Sequence, residues 1–226
     1  MTSSNSPECL SPEELTMSDG VFLVKLARRA VFEYLSKGSI IKPPKDTPRK
    51  LLKYGMTFTT LLKVSEVGRE LRGCIGYLQP VEPQAINVIN SAIAAATQDP
   101  RFPPVMLHEL DYIIFEVSVL SPPVVVEVSD RRKITEAVVL GEDGLIAEYG
   151  IYKGLLLPEV PVEYCWDSET FLSETCIKAG MSADCWLSNK VKIMKFTAKT
   201  FREVSPGGEV IERNLAREYN EWCKTF

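Results

Sequence analysis

At 226 residues the chain is long enough for one large domain or two small lobes, and its 45% apolar and 25% charged residues are ordinary for a globular protein. A net charge of −4 and a pI near 5.3 do not supply the basic surface that grips a nucleic-acid backbone. No run of about 18 apolar residues exists, and residues 1–7 lack both the basic start and the apolar middle of a secretory signal, so neither a transmembrane helix nor secretion is expected and the reading is cytoplasmic.

Residues 1–10 are Ser-rich and aperiodic, and are expected to be disordered; the folded chain is expected over 11–226. Ser11-Pro12-Glu13-Glu14 has the form of a helix start, with Pro at the first position and acids in the first turn. A second start is expected at Ser18. From there Phe22, Leu26, Ala30 with Val31, and Tyr34 recur at helical spacing up to Gly38, and Lys25, Arg28 and Arg29 read as the solvated face. Residues 42–49 hold three prolines and form a loop. Met56, Phe58, Thr60, Leu62 and Val64 alternate as a strand, and Gly68 turns the chain back for an antiparallel partner. Ala85, Ile86, Ile89, Ala92, Ile93 and Ala96 give the next helix its apolar face, whose small residues allow close approach to a sheet. Asp99-Pro100 ends it, because a residue before proline avoids the helical region.

Further on, 112–120 is a strong strand with Phe115, Val117 and Val119 on one face and Glu116 and Ser118 on the other. Residues 124–128 suggest another strand, and 134–140 is ambiguous. Asp143-Gly144 reads as a turn, followed by a hairpin through Gly150. Asp167 caps a helix carrying Leu172, Cys176 and Ala179, closed by Gly180. The spacing predicts that Cys176 is buried and chemically quiet. Residues 191–204 are strand-like, Pro206-Gly207-Gly208 is a turn, and Ile211, Leu215, Tyr219 and Trp222 outline a last amphipathic helix. Trp166 and Trp186 are core residues, with Trp166 alternatively stapling the helix start at Asp167. Strands and helices mix without a regular βαβ alternation, which gives an α+β fold with an antiparallel-rich sheet flanked by helices.

The segment Leu71-Arg72-Gly73-Cys74-Ile75-Gly76 is the one that generic core and surface do not explain. Strand alternation puts the Arg72 cation and the Cys74 thiol on one face. Gly73 and Gly76 weaken a strand interior, which marks a bulge, a bend or the close approach of another group. Arg72 suits an anionic ligand group, or a buried pair with Glu116. A guanidinium nearby favours a thiolate at Cys74, whereas the bland reading of Cys74 is a small buried hydrophobe. Prolines 100 and 103 hold Asp99 and Arg101 in fixed positions, either as a helix-end lock or as the wall of a pocket. The single histidine, His108, has no local signal that makes it a base for Cys74. Six cysteines at 9, 74, 165, 176, 185 and 223 show no C-x-x-C pair, so neither a disulfide framework nor a zinc site is read, and no cofactor or metal motif is present. A surface disulfide is expected only if the source is a hyperthermophile.

The same hexapeptide is the signature of the AMMECR family, which the chain resembles over nearly its whole length. The resemblance continues through Asp99 to Val105, Phe115 to Pro123, Asp143 to Ile146, Gly154 to Pro158 and Trp166-Asp167, in the family's order. It implies an archaeal or bacterial single-domain member, with an antiparallel-rich sheet and a smaller second lobe within 11–226. It also implies a link to Memo-like and radical-enzyme proteins in a shared modification pathway. The site is then expected around Arg72, Gly73, Cys74 and Gly76, with Asp99, Arg101 and Glu116 nearby and Cys74 as the candidate nucleophile. Three functions follow: an enzyme-like domain that binds a small molecule in a cleft, a module that docks a protein partner at the same groove, and a nucleotide or nucleic-acid binder, which the acidic composition disfavours.

Overall fold

In the computed structural model, which describes residues 9–224, the elements follow as α1 (Met17–Lys37), β1 (Met56–Ser65), β2 (Gly68–Tyr77), α2 (Gln84–Thr97), β3 (Ile113–Leu120), β4 (Val124–Val125), β5 (Asp143–Tyr149), β6 (Tyr152–Leu156), α3 (Glu159–Glu163), α4 (Ser168–Lys178), β7 (Lys192–Glu203), β8 (Val210–Glu212) and α5 (Leu215–Cys223). Short 3₁₀ turns include Pro12–Glu14, Leu107–Tyr112 and Arg131–Ala137. The pairings β1–β2, β1–β3, β4–β7, β5–β6, β5–β7 and β7–β8 are all antiparallel. The fold is α+β, as the sequence pattern indicates. The chain divides into two compact units, one of residues 9–120 with Lys199–Arg213 and one of Ser121–Ala198 with 214–224. Among the described residues no helix is long and apolar enough to cross a membrane.

In the first unit β1 lies between β2 and β3, and α1 and α2 supply the helical side of the core. Helix α1 begins one residue before the expected Ser18. Thr16 and Asp19 satisfy each other's main-chain N–H groups, a reciprocal cap that fixes the start, and Gly38 at φ 66° ends the helix. The buried stripe is Leu23, Val24, Ala27, Ala30 and Val31 with Leu26, while Phe22 and Tyr34 are only half-buried. Arg28 is not on a solvated face. Its Nε donates to Glu203 Oε1 at 2.7 Å, Nη1 to the Leu110 carbonyl at 3.1 Å and Nη2 to the Ile113 carbonyl, and its guanidinium carbon sits 4.6 Å from the Phe115 ring centroid. A charge replaces an apolar residue there because it satisfies carbonyls and a buried carboxylate at once. Of the stretch expected to be disordered, residues 1–8 lie outside the described residues. Leu10 is fully buried, and its N–H donates to the Tyr54 carbonyl at 2.7 Å.

In the second unit β5 lies between β6 and β7, and β4 pairs with β7 on its own account. The hairpin through Gly150, at φ 58°, is as expected. Asp143 and Gly144 are not a turn: they pair with Thr197 and Phe196 inside β5. The reversal is at Gly141, at φ 81°, where a Cβ would lie 2.7 Å from Ala216 main chain. Asp143 closes that turn from the strand side, accepting from Val139 N–H at 2.8 Å and pairing with Lys195 at 2.9 Å. The strand expected over 124–128 shrinks to two residues, and Ile211 belongs to β8, opposite Arg202, so the last helix starts only at Leu215 under an Asn214 cap. Asp167 caps α4 through Thr170 N–H at 2.8 Å.

The cysteines depart most from the sequence reading. Cys165 is joined to Cys223 and Cys176 to Cys185. Cys176 is fully buried beside Leu172 and Ala179, as its helical spacing predicts, but as half of a disulfide rather than as a thiol. Trp186 is buried, and Trp166 is half-buried with its ring stacked 5.0 Å from that of Tyr164.

Candidate functional site

The turn Ser65–Gly68 sets the register of the β1–β2 hairpin, and Lys63, Val64 and Leu62 meet Glu70, Arg69 and Leu71 as simple counting requires. Between Leu62 and Leu61 the register slips. Leu61 meets Gly73, and Arg72 is the extra residue of a β-bulge. Beyond it Thr60 meets Cys74 and Thr57 meets Tyr77. Directly opposed residues share a face of the sheet, so the bulge decides where every side chain of the signature goes.

Leu61 is fully buried in the core, and Gly73 opposite it faces α2. A Cβ on Gly73 would lie 2.1 Å from the Ala95 carbonyl oxygen. Only glycine lets this strand and helix touch main chain to main chain. Cys74 points to the other face, where Thr60 Oγ1 donates to Cys74 Sγ at 3.3 Å. Arg72 does not join it. Its Nε and Nη2 donate to the Glu109 carboxylate at 3.1 and 3.0 Å, and Nη1 donates to the Pro103 carbonyl at 2.8 Å. Plain alternation places Arg72 and Cys74 on one face; the bulge separates them. Gly76 serves the Phe58 ring, which a Cβ there would meet at 2.3 Å, so the group that approaches is the protein's own.

The 99–103 loop does come to Cys74. Asp99 Oδ2 accepts from the Cys74 N–H at 2.8 Å, and Arg101 Nη2 donates to the Cys74 carbonyl at 3.4 Å. Arg101 also grips Asp99 through Nε at 2.9 Å and Nη2 at 2.7 Å. One ion pair thus takes both Cys74 main-chain groups that turn away from β1. The Arg101 guanidinium, with the N–H groups of Cys74 and Arg101, holds the Asp99 carboxyl at about 2 although the residue is buried. Arg72 holds Glu109 at about 2 in the same way, helped by the Met106 N–H and Lys63. Arg72, Asp99 and Arg101 therefore act as clamps on a loop, already matched to partners of opposite charge.

Glu116 is not the partner of Arg72. It is almost wholly buried in β3 and pairs with Arg213 at 3.0 Å, with Arg202 at 3.8 Å. It still shares the Cys74 face, since Thr60 is opposite both Cys74 and Glu116. His108 is exposed on the Leu107–Tyr112 turn. Among the described residues no group of three or more His, Cys, Asp and Glu side chains is arranged to hold a metal ion. Among the described residues Cys74 and Cys9 are the cysteines outside a disulfide, both half-buried. The Cys9 thiol is pushed up by burial and by Glu14, which opposes thiolate chemistry there. Thr60, Glu109 and Arg213 are the contributors that sequence reasoning missed. Thr60 carried a signal in its alternation along β1, but the bulge hid its pairing with Cys74.

A protein of Thermofilum pendens is 47% identical over 207 residues, covering 89% of this chain and 97% of that protein. One of Pyrococcus abyssi is 50% identical over 197 residues, covering 87% and 96%. The crystal structure of a Pyrococcus horikoshii protein superposes with a TM-score of 0.86 at 47% identity, covering 89% of this chain and all of that one. The AMMECR1 family model matches residues 24–201, which takes in the bulged strand, its loop clamps and both units: the chain belongs to the AMMECR1 family.

Proposed function

We propose that the chain is an enzyme-like domain that binds a small molecule at the Cys74 face of β2, with the Cys74 thiol as the group that meets it. The observation that carries this reading is the treatment of Cys74. Four other cysteines are locked in disulfides and the Cys9 thiol is raised by burial, whereas Cys74 is half-buried, outside those disulfides and held by Thr60 on a main chain clamped from both sides. A nucleophile or ligand anchor benefits from such fixed positioning. The guanidinium of Arg101 at the Cys74 carbonyl adds positive potential beside the thiol. Arg72, Asp99 and Arg101 position the site, and Glu116 with Arg213 underlies the same face. A cytoplasmic setting belongs to this reading, since intracellular proteins of hyperthermophilic archaea carry structural disulfides. So does a place in a modification pathway beside Memo-like and radical-enzyme proteins.

A protein partner docking at this face is the second reading, favoured by Leu71, which is 39% exposed on the Cys74 side of the bulge. Purification from the native source with mass spectrometry of retained small molecules and partners separates the two. A small molecule lost from Cys74→Ala, with folding unchanged, is the expected result. A protein partner lost instead supports docking, and retention of both in Cys74→Ala removes the site. Iodoacetamide should label Cys74 well ahead of Cys9 in the native protein, and Thr60→Val should change the Cys74 rate by roughly twofold, the scale of one weak hydrogen bond.

A further inference from the structure

On the helical side of the first unit, between the end of β2, the 78–83 connection and α2, lies an open depression of ≈ 350 Å³. That is at the lower end of the range of about 300–1,000 Å³ typical of small-molecule sites. Tyr77 at the end of β2 supplies an aromatic wall, and Ile40, Val81 and Ile93 make the surroundings apolar. Asn87 and Asn90 enter it from α2, one turn apart, and Glu82 from the connection. Among the described residues that line it, Glu82 is the one carrying a full charge.

Asn87 is only 1% exposed. Its Nδ2 donates to the Gly55 carbonyl at 2.8 Å, which fixes the amide's orientation and turns Oδ1 away from that bond. Oδ1 has no hydrogen-bond partner among the described residues. A buried acceptor without a donor is uncommon in folded proteins and asks for an explanation. Asn90 Nδ2 donates to Glu82 Oε2 at 2.8 Å and so steadies a carboxylate in the same depression. The polar features on offer thus include an uncharged acceptor and an anionic one, with the Gln98 side chain and the aromatic Tyr77 on the same lining. Donor N–H groups with positive charge complement the two acceptors, and a cation over an aromatic face complements Tyr77.

We propose that this depression binds a small organic cation, an amidine or primary amine on a flat apolar body. It stands apart from the Cys74 face. Tyr77 is opposite Thr57 and Cys74 opposite Thr60, so their side chains leave opposite sides of the sheet.

The test is titration of the full chain with benzamidine, followed by the side-chain amide signals of Asn87 and Asn90 in nitrogen–proton correlation spectra. Saturable shifts with a Kd of about 1 mM are expected for a probe of this size. Benzoate, flat and of opposite charge, should give none. Glu82→Gln should weaken benzamidine at least fivefold, and Cys74→Ala should leave it unchanged. Non-saturating shifts, an equal response to benzoate, or undiminished binding in folded Glu82→Gln overturns the proposal. Loss of benzamidine in Cys74→Ala with the fold intact overturns the separateness of the two sites. Asn87 is left unchanged in the test, because its Nδ2 also donates to the Gly55 carbonyl and an Asp there would set a carboxylate oxygen against that oxygen; Glu82→Gln is the deciding variant.

Discussion

The two units solve one packing problem alike and a second one differently. Each presses a glycine of a sheet strand against the main chain of a helix end or body. A Cβ on Gly73 would lie 2.1 Å from the Ala95 oxygen, and one on Gly154 would lie 2.3 Å from the Ala179 nitrogen. They diverge in how loops and helices are tied down. The first unit uses buried or half-buried ion pairs: Arg28–Glu203, Arg72–Glu109, Asp99–Arg101 and Arg213–Glu116. The second, beside its Lys195–Asp143 pair, adds covalent links, Cys165–Cys223 across 58 residues and Cys176–Cys185 across 9. The unit tied by charge carries Cys74 on its sheet outside any disulfide, whereas the second unit's described cysteines are all paired. The first should then respond to pH and the second to reductant.

The largest test of that contrast is covalent. In the loop-entropy account, removing the Cys165–Cys223 bond should cost the second unit about 4 kcal/mol, and removing Cys176–Cys185 about 3 kcal/mol. Denaturant unfolding of Cys165→Ser and Cys176→Ser, read by probes in each unit, checks this. A loss of the same size in the first unit would show that the contrast is not real. Next come the glycines. Gly73→Ala and Gly154→Ala should each destabilise by about 3 kcal/mol, because the obstacle is main chain and cannot swing away. A near-neutral Gly73→Ala would mean that α2 does not touch β2 as described.

The smallest effect is electrostatic. Asp99 and Glu109 are held at about 2, below their values near 3.9 and 4.3 in an unfolded chain. Both shifts are downward, so their stabilisation is fully present above about pH 5 and is lost as pH falls through 2. Arg101 is nearly half exposed, and with that screening the two together are worth about 2 kcal/mol. Arg101→Met should remove about 1 kcal/mol at neutral pH and flatten the acid limb of the stability profile. An unchanged acid limb in that variant would assign the pH response elsewhere.

The hairpin, the Ala-rich helix and the Asp99 stop were legible because each rests on local signals: alternation, a glycine turn, a residue before proline. The bulge was not. A two-residue turn fixes the first pairs of a hairpin, but a slip at Arg72 obeys packing against α2, which no nearby residue announces. Arg28 was misread for a related reason. Helical periodicity tells which side a residue is on, and not whether a carboxylate such as Glu203, far along the chain, waits there. Asp143-Gly144 looks like a turn pair, yet the aspartate bonds back to the residue that begins the turn, and the reversal falls at Gly141. Disulfide partners 58 residues apart carry no pairing signal in sequence at all. Arg72 with Cys74 was half legible: the neighbourhood of the 99–103 loop followed from the helix that delivers it, whereas the shared face depended on the unseen slip.

The ion pair on Cys74 has a colloidal consequence. The outer edge of β2 is where a strand from another molecule would add, since an unpaired strand edge is a template for assembly. At Cys74 that template is already filled by side chains of the same loop, Asp99 on the N–H and Arg101 on the carbonyl. Protonating Asp99 weakens the filling. Below about pH 2 the chain should begin to grow ordered aggregates from β2, and Asp99→Ala should do so at neutral pH, visible as a rise in light scattering that the parent protein does not show. Absence of scattering in Asp99→Ala would mean that the Arg101 side chain screens the edge by itself.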